Sequence, residues 1–261
     1  MDNLLFTITL IAGIYVIGYS IIKRESILDH LGLKWDHYPI WNLLAGFAIS
    51  TMAMTGIFLI EWLVGAIRIT GVIANPVNTV EGQELSLITG LSMVVFLASL
   101  EELLSRSMFL GRLLLVLRDR RWLAIVIAAA LSGLNHTANP HASVISVIGN
   151  TLIGLMAAIA FVGSRRIWLP IGLHVAWNYV QGFIFGFPIS GTQIVGIVNQ
   201  QHVGPELLTG GAYGPEAGLV GMIFGFVRIA LVIAWLTWVS KRQGTLKKLD
   251  YFEWTQRVTA S

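Results

Sequence analysis

Residues 85–117 read LSLITGLSMVVFLASLEELLSRSMFLGRLLLVL, a run that is almost entirely apolar. About 20 mostly apolar residues are enough for an α-helix to cross a bilayer. The run therefore predicts a membrane-spanning helix that is long enough to tilt or to protrude. Near its middle it carries Glu101, Glu102 and Arg106. Charges are costly inside a bilayer and usually have a function there.

The composition of the whole chain indicates the same class of protein. Of the 261 residues, 55% are hydrophobic and 12% are charged, and the mean hydropathy is +0.74. Soluble domains carry about 25% charged residues. An ordinary soluble enzyme and a disordered protein are therefore excluded. Lys and Arg lie between apolar runs rather than on one face, which argues against nucleic-acid binding. The chain has no Cys, so disulfides, thiolate ligands and a Cys nucleophile are excluded.

Seven apolar runs predict an all-α, polytopic membrane bundle of about seven transmembrane helices. Closed barrels are the other spanning structure, but the runs lack the two-residue alternation of barrel strands. We expect a membrane domain over residues 1–240 and a cytoplasmic tail over residues 241–261. The predicted spans are Leu4–Ile22, Ile40–Ile67, Leu85–Leu117, Trp122–His136, Ala142–Val162, Leu169–Phe187 and Ala217–Val239.

The positions of the basic residues predict the orientation. Lys and Arg cluster after the first, third, fifth and seventh spans, whereas the opposite loops hold only Arg68. Because basic loops stay cytoplasmic, we expect an outside N-terminus and a cytoplasmic C-terminus. The compact spans favour an integral protein of a bacterial plasma membrane. Two outer segments, Thr70–Glu84 and Pro188–Pro215, are predicted as loops. The longer loop is either a substrate lid or a plain connector.

The two glutamates of the third span can have different roles. At about 100° per residue, Glu102 and Arg106 share a helix face one turn apart, and Glu101 points about a quarter-turn away. We expect Arg106 to hold Glu102, which leaves Glu101 for another partner. The alternative is a purely structural network of buried ions.

Two further spans carry polar groups that could join this cluster. His136 ends the fourth span, and His174 and Asn178 lie one turn apart on one face of the sixth. At about 1.5 Å per residue, Glu101 and His136 both lie roughly 22–26 Å from the cytoplasmic ends, so they can meet. His174 follows Arg166 by only eight residues, so a simple helix places its imidazole lower. Either a tilted fifth span or a connection that dips into the membrane would bring His174 level with the others.

These residues resemble the CPBP family of CAAX proteases and bacteriocin-processing enzymes, also called the Abi family. Residues 101–106, EELLSR, match its EExxxR motif, and His174 to Asn178 match its HxxxN motif. The FxxxH motif falls on Ser132 to His136, where Ser stands in place of Phe. The resemblance covers about residues 97–191.

The resemblance implies a glutamate-dependent intramembrane endopeptidase, similar to type II CAAX prenyl endopeptidases, with no cofactor. It implies that Glu101 is the general base and that His136 helps it to hold the attacking water. His174 and Asn178 would donate to the oxyanion. The supporting pair would be Glu102 and Arg106. The expected partners are membrane lipids and a peptide or protein substrate at the membrane.

Other chemistries use the same residues. Glu101, His136 and His174 could form a two-His, one-carboxylate site that activates water on zinc. Ser132 and His174 could be the nucleophile and base of a rhomboid-type serine protease. Intramembrane Glu, His and Arg are also parts of transporters, and the family resemblance includes bacteriocin immunity proteins.

We expect the Ser132→Ala variant to keep its peptidase activity, because glutamate-activated water needs no hydroxyl nucleophile. The measurement is hydrolysis of a quenched fluorescent peptide library by detergent-purified protein. Complete loss of hydrolysis in a folded Ser132→Ala variant would instead support the serine mechanism.

Overall fold

The computed structural model of the chain describes residues 31–34, 39–80, 83–117 and 119–242. The predicted first span, Leu4–Ile22, lies outside these residues. The predicted cytoplasmic tail lies outside them too, except for Lys241 and Arg242. The expected location of the two termini therefore stays a prediction.

The described residues are mostly helical, which confirms the all-α membrane bundle. Each of the six predicted spans that they include forms a helix, and four helices are long and apolar enough to cross a membrane. Those four are α1 (Pro39–Leu63), α2 (Leu87–Leu117), α4 (Val144–Ser164) and α7 (Leu219–Arg242). The shorter helices are α3 (Arg121–Leu134), α5 (Trp168–Asn178) and α6 (Glu206–Thr209).

Helix α2 changes its winding next to its charged residues. Ser86 caps its N-terminus by accepting a hydrogen bond from the Thr89 amide. The α-helical part ends at Glu102, and residues Leu103–Leu110 form a π-helix before α-helix resumes at Gly111. The π form is rare and is found mostly as short interruptions of α-helices, frequently at functional sites. Helix α5 continues in the same way, as a π-helix over Tyr179–Ile184.

The two predicted outer loops contain strands, so their description as loops alone was wrong. β1 (Ile67–Val72) pairs antiparallel with β4 (Val198–His202), and β2 (Asn78–Val80) pairs with β3 (Gln83–Leu85). Such strands are too short for their periodicity to stand out in a window of 11–18 residues. The pairing satisfies backbone groups of both loops and places both at one end of the bundle. Helix α1 correspondingly ends at Leu63, before the predicted Ile67.

Helices α1 and α5 pack closely against each other through glycines. A Cβ atom at Gly46 would overlap the carbonyl oxygen of Leu169, and one at Gly172 would overlap that of Leu43. Small residues allow membrane helices to approach backbone to backbone, and the gain is van der Waals packing. This contact fixes α5, which carries His174 and Asn178, against the core of the bundle.

We expect Gly172→Ala to lower the free energy of unfolding by about 1–3 kcal/mol, because the added methyl group meets backbone that cannot rotate away. Thermal unfolding of the detergent-purified protein measures the effect. Gly71→Ala is the matched control, since no heavy atom lies within 4 Å of a Cβ at that position. Equal melting temperatures for the two variants would contradict this packing role.

Candidate active site

A cavity of about 220 Å³ lies between the helices that carry the predicted site residues. All six of them line it: Glu101, Glu102, Arg106, His136, His174 and Asn178. Helix α2 supplies the first three, the turn after α3 supplies His136, and α5 supplies the last two. Residues that lie far apart in the sequence are thus gathered around one space.

Glu102 and Arg106 form a buried ion pair at the base of this site. Arg106 Nε lies 3.2 Å from Glu102 Oε2, and both side chains are only 2% exposed. Arg106 Nη2 also donates to the Ser132 hydroxyl at 3.4 Å, which ties α2 to α3. A charge removed from water needs a charged or hydrogen-bonding partner, and each member of the pair supplies one to the other.

His174 bridges the two glutamates, a contact that the sequence did not reveal. Its Nδ1 lies 2.9 Å from Glu102 Oε1, and its Nε2 lies 3.9 Å from Glu101 Oε2. Because Nδ1–H donates to Glu102, the orientation of the ring is fixed and Nε2 faces Glu101. The gap of 3.9 Å is too long for a hydrogen bond, but a small molecule between the two groups could contact both.

Glu101 differs from Glu102 in its surroundings. The Glu101 side chain is 42% exposed, whereas that of Glu102 is almost completely buried. Glu102 is held from two sides, by Arg106 and by His174. Glu101 is therefore accessible to a bound molecule and could accept a proton from it. Glu102 instead holds the His174 ring in place.

His136 and Asn178 complete the polar lining of the cavity. His136 Nδ1 lies 2.8 Å from the Ser132 carbonyl oxygen, to which it must donate. This bond leaves Nε2 as the other polar atom of the ring. Asn178 follows His174 by one helical turn on the same cavity wall. Of the two imidazoles, His174 is the one that the structure places beside Glu101, and His136 shares only the cavity with it.

The His and Glu side chains of this cavity are not arranged as the ligands of a metal ion. Over residues 31–34, 39–80, 83–117 and 119–242, no three or more His, Cys, Asp or Glu side chains are grouped so that they could hold a metal ion. The zinc triad of Glu101, His136 and His174 is therefore not assembled among the described residues.

A second polar group lines the same cavity and was missed in the sequence. It consists of Asn150, Trp177, Glu216 and Arg228. Arg228 was detectable, because it is a charge inside an otherwise apolar span, as Glu101 is. Glu216 follows the predicted long loop, and nothing in its local sequence marks it.

Tyr213 supports the loop side of the cavity. Its hydroxyl accepts a hydrogen bond from the Asn150 amide at 2.8 Å, and this joins the loop to α4. Burial, and then the nearby charge of Glu216, raise the pKa of the Tyr213 phenol above its usual range. The phenol therefore stays protonated at neutral pH.

Residues 83–180 match the family model described as Type II CAAX prenyl endopeptidase Rce1-like. The matched segment contains all six predicted site residues and ends before Glu216 and Arg228. The match confirms the family resemblance drawn from the three motifs. Neither a curated protein nor a solved structure matches the chain.

We expect Arg106→Gln to lower the free energy of unfolding by about 3–5 kcal/mol, because it leaves the Glu102 carboxylate buried without its cation. Unfolding of the detergent-purified protein by heat or denaturant measures the loss. A second change, Glu102→Gln, should restore part of the lost stability by removing the stranded charge. Arg242→Gln, at the exposed end of α7, is the matched control. If the double variant were no more stable than Arg106→Gln alone, the pairing would not explain the loss.

Proposed function

We propose that this chain, whose residues 83–180 match the Rce1-like endopeptidases, hydrolyses a peptide bond by means of water activated by Glu101. The family match supports the broader conclusion of a CAAX-type intramembrane protease. The glutamate mechanism rests on one observation above all. A half-exposed carboxylate, Glu101, faces an imidazole that a buried ion pair holds in place.

In the proposed reaction, Glu101 takes a proton from a water molecule bound between its carboxylate and the imidazole of His136. The resulting hydroxide attacks the carbonyl carbon of the scissile bond. A base that removes a proton in the transition state typically contributes about 10²–10⁴-fold in rate. His136 Nε2 orients this water, since its ring lines the cavity and is fixed through Nδ1.

The carbonyl oxygen becomes negatively charged as the tetrahedral intermediate forms. The Asn178 amide is proposed to donate a hydrogen bond to it. His174 is the second donor through Nε2–H in its doubly protonated form, because its Nδ1–H is already given to Glu102. Removing one such donor typically costs about 10²–10³-fold in kcat, because its bond strengthens in the transition state. The intermediate then collapses, the carbon–nitrogen bond breaks, and Glu101 returns its proton to the leaving amine.

Glu102 and Arg106 act through other groups in this proposal. Glu102 holds His174 in one orientation, and Arg106 neutralises Glu102 so that only one carboxylate is left to act as a base. A catalytic group held within a fraction of an ångström by such supports is already oriented for reaction.

The proposed substrate is a peptide or a segment of a protein in or at the membrane. The four apolar helices and the family match indicate an integral membrane protein. We further propose a cytoplasmic C-terminus, on the distribution of basic residues around the spans, and a bacterial plasma membrane, on the compactness of the spans.

We expect Glu101→Gln to abolish hydrolysis of a quenched fluorescent peptide library, because an amide cannot accept the proton from water. Purified wild-type protein and the variant are assayed in detergent, each with and without a strong chelator. Wild-type activity should survive the chelator. Glu206→Gln is the matched control, since this exposed glutamate lies outside the cavity.

Three results would change the proposal. Loss of wild-type activity with chelator would favour a metal-dependent reaction on the same residues. Undiminished activity of Glu101→Gln would remove Glu101 from the mechanism. Solute transport in proteoliposomes without cleavage of any peptide would replace the enzyme by a transporter.

A further inference from the structure

Arg228 is a fully buried cation within the apolar helix α7, with a relative exposure of 0%. Its Nη2 donates to the Ser50 hydroxyl at 2.9 Å, and its Cζ lies 4.0 Å from the centroid of the Trp177 ring. In the part of the chain that the structure describes, its Nε and Nη1 have no hydrogen-bond partner. An intramembrane charge with unused donors usually marks a functional site.

The nearest candidate for a counter-ion is already engaged. Glu216 is buried close enough to Arg228 to interact with it electrostatically. Its carboxylate accepts hydrogen bonds from Trp177 Nε1 at 3.2 Å and from Gln181 Nε2 at 2.9 Å. No ion pair within 4.0 Å joins Arg228 to Glu216 among the salt bridges of the described residues. Among the described residues, Nε and Nη1 of this buried guanidinium therefore stay unpartnered beside the cavity that Arg228 lines.

Arg228 lines the same cavity as the proposed catalytic groups. Trp177, which packs its ring against the guanidinium, lies on α5 between His174 and Asn178. One wall of the cavity thus carries the reactive groups and the residue that holds Arg228 in place. A ligand bound to Arg228 would therefore lie in the cavity that these groups line.

We propose that Arg228 binds a carboxylate of the substrate close to the scissile bond. This subsite rests on the proposed peptidase function and names the chemical group that the enzyme would recognise. A planar guanidinium matches a carboxylate through two parallel hydrogen bonds, and stacking on Trp177 keeps its plane fixed. A singly charged carboxylate suits a small cavity that already holds Glu101, Glu102 and Glu216, whereas a phosphate would bring more negative charge into it.

The test is a binding measurement on full-length protein that carries Glu101→Gln, so that no turnover occurs. The probes are three fluorescein-labelled apolar pentapeptides: one with a free C-terminal carboxylate, one with a C-terminal amide, and one amide with an Asp side chain. Fluorescence anisotropy in detergent gives each dissociation constant. We expect one of the two carboxylate peptides to bind about 10-fold or more tightly than the neutral amide. Whichever one does so identifies a terminal or a side-chain carboxylate.

Variants of the arginine assign the preference to it. Arg228→Gln should abolish the preference for carboxylate, and Arg228→Lys should reduce it several-fold, because Lys keeps the charge but loses the paired geometry. Arg242→Gln, at the exposed end of the same helix, should leave the preference unchanged. If Arg228→Gln does not fold, Arg228→Lys and the comparison of the three peptides decide.

These outcomes distinguish a failure of the proposed Arg228 subsite from a failure of the proposed peptidase reaction. Equal binding of all three peptides, binding of none, or a preference unchanged by the substitutions of Arg228 would overturn the subsite. A carboxylate preference that depends on Arg228 supports the subsite even if the protein with Glu101 restored hydrolyses no peptide. In that event the peptidase proposal fails and the anion-binding site remains.

Discussion

The ion pair between Glu102 and Arg106 is the interaction on which the arrangement of the site depends. Both side chains are almost completely buried, and the 2.9 Å hydrogen bond from His174 to Glu102 links α5 to α2. Without Arg106, a carboxylate would be left in the bundle with only an imidazole for support, and burying a lone charge is costly. The pair therefore sets the orientation of His174, and His174 in turn defines the space in front of Glu101.

The glycine contact between α1 and α5 supplies the rigidity that this geometry needs. Gly46 and Gly172 bring the two backbones together on the side of α5 that faces away from the cavity wall of His174 and Asn178. A helix that is held by backbone contact on one side can carry polar groups on the other without shifting. Helix α5 thus packs against α1 with one face and supplies polar groups to the cavity with the opposite face.

The sequence predicted the helices and the family resemblance, because each has a local signal, and the six residues that it singled out line one cavity. Apolar length marked the six predicted runs that form helices in the described residues, four of which are long enough to cross a membrane. The spacing of Glu102 and Arg106 placed these two on one face. The bridge from His174 to both glutamates was not predictable, because an estimate of depth from chain length placed His174 below Glu101. Such an estimate treats helices as parallel rods, whereas contact depends on their tilt. The β1–β4 pairing was not predicted from the sequence, because short strands in long loops have no reliable periodicity.

The β1–β4 ladder joins parts of the chain on opposite sides, in sequence, of the family-matched segment. β1 follows α1, and β4 belongs to the same loop as Ile189 and Ser190, which line the cavity. The main-chain hydrogen bonds between β1 and β4 therefore connect this loop to the segment that directly follows α1. A swinging lid would have to break this ladder before it could open. If the cavity receives a polypeptide as proposed, its entry is then mechanically coupled to α1, so a displacement of that helix would be transmitted to the cavity wall.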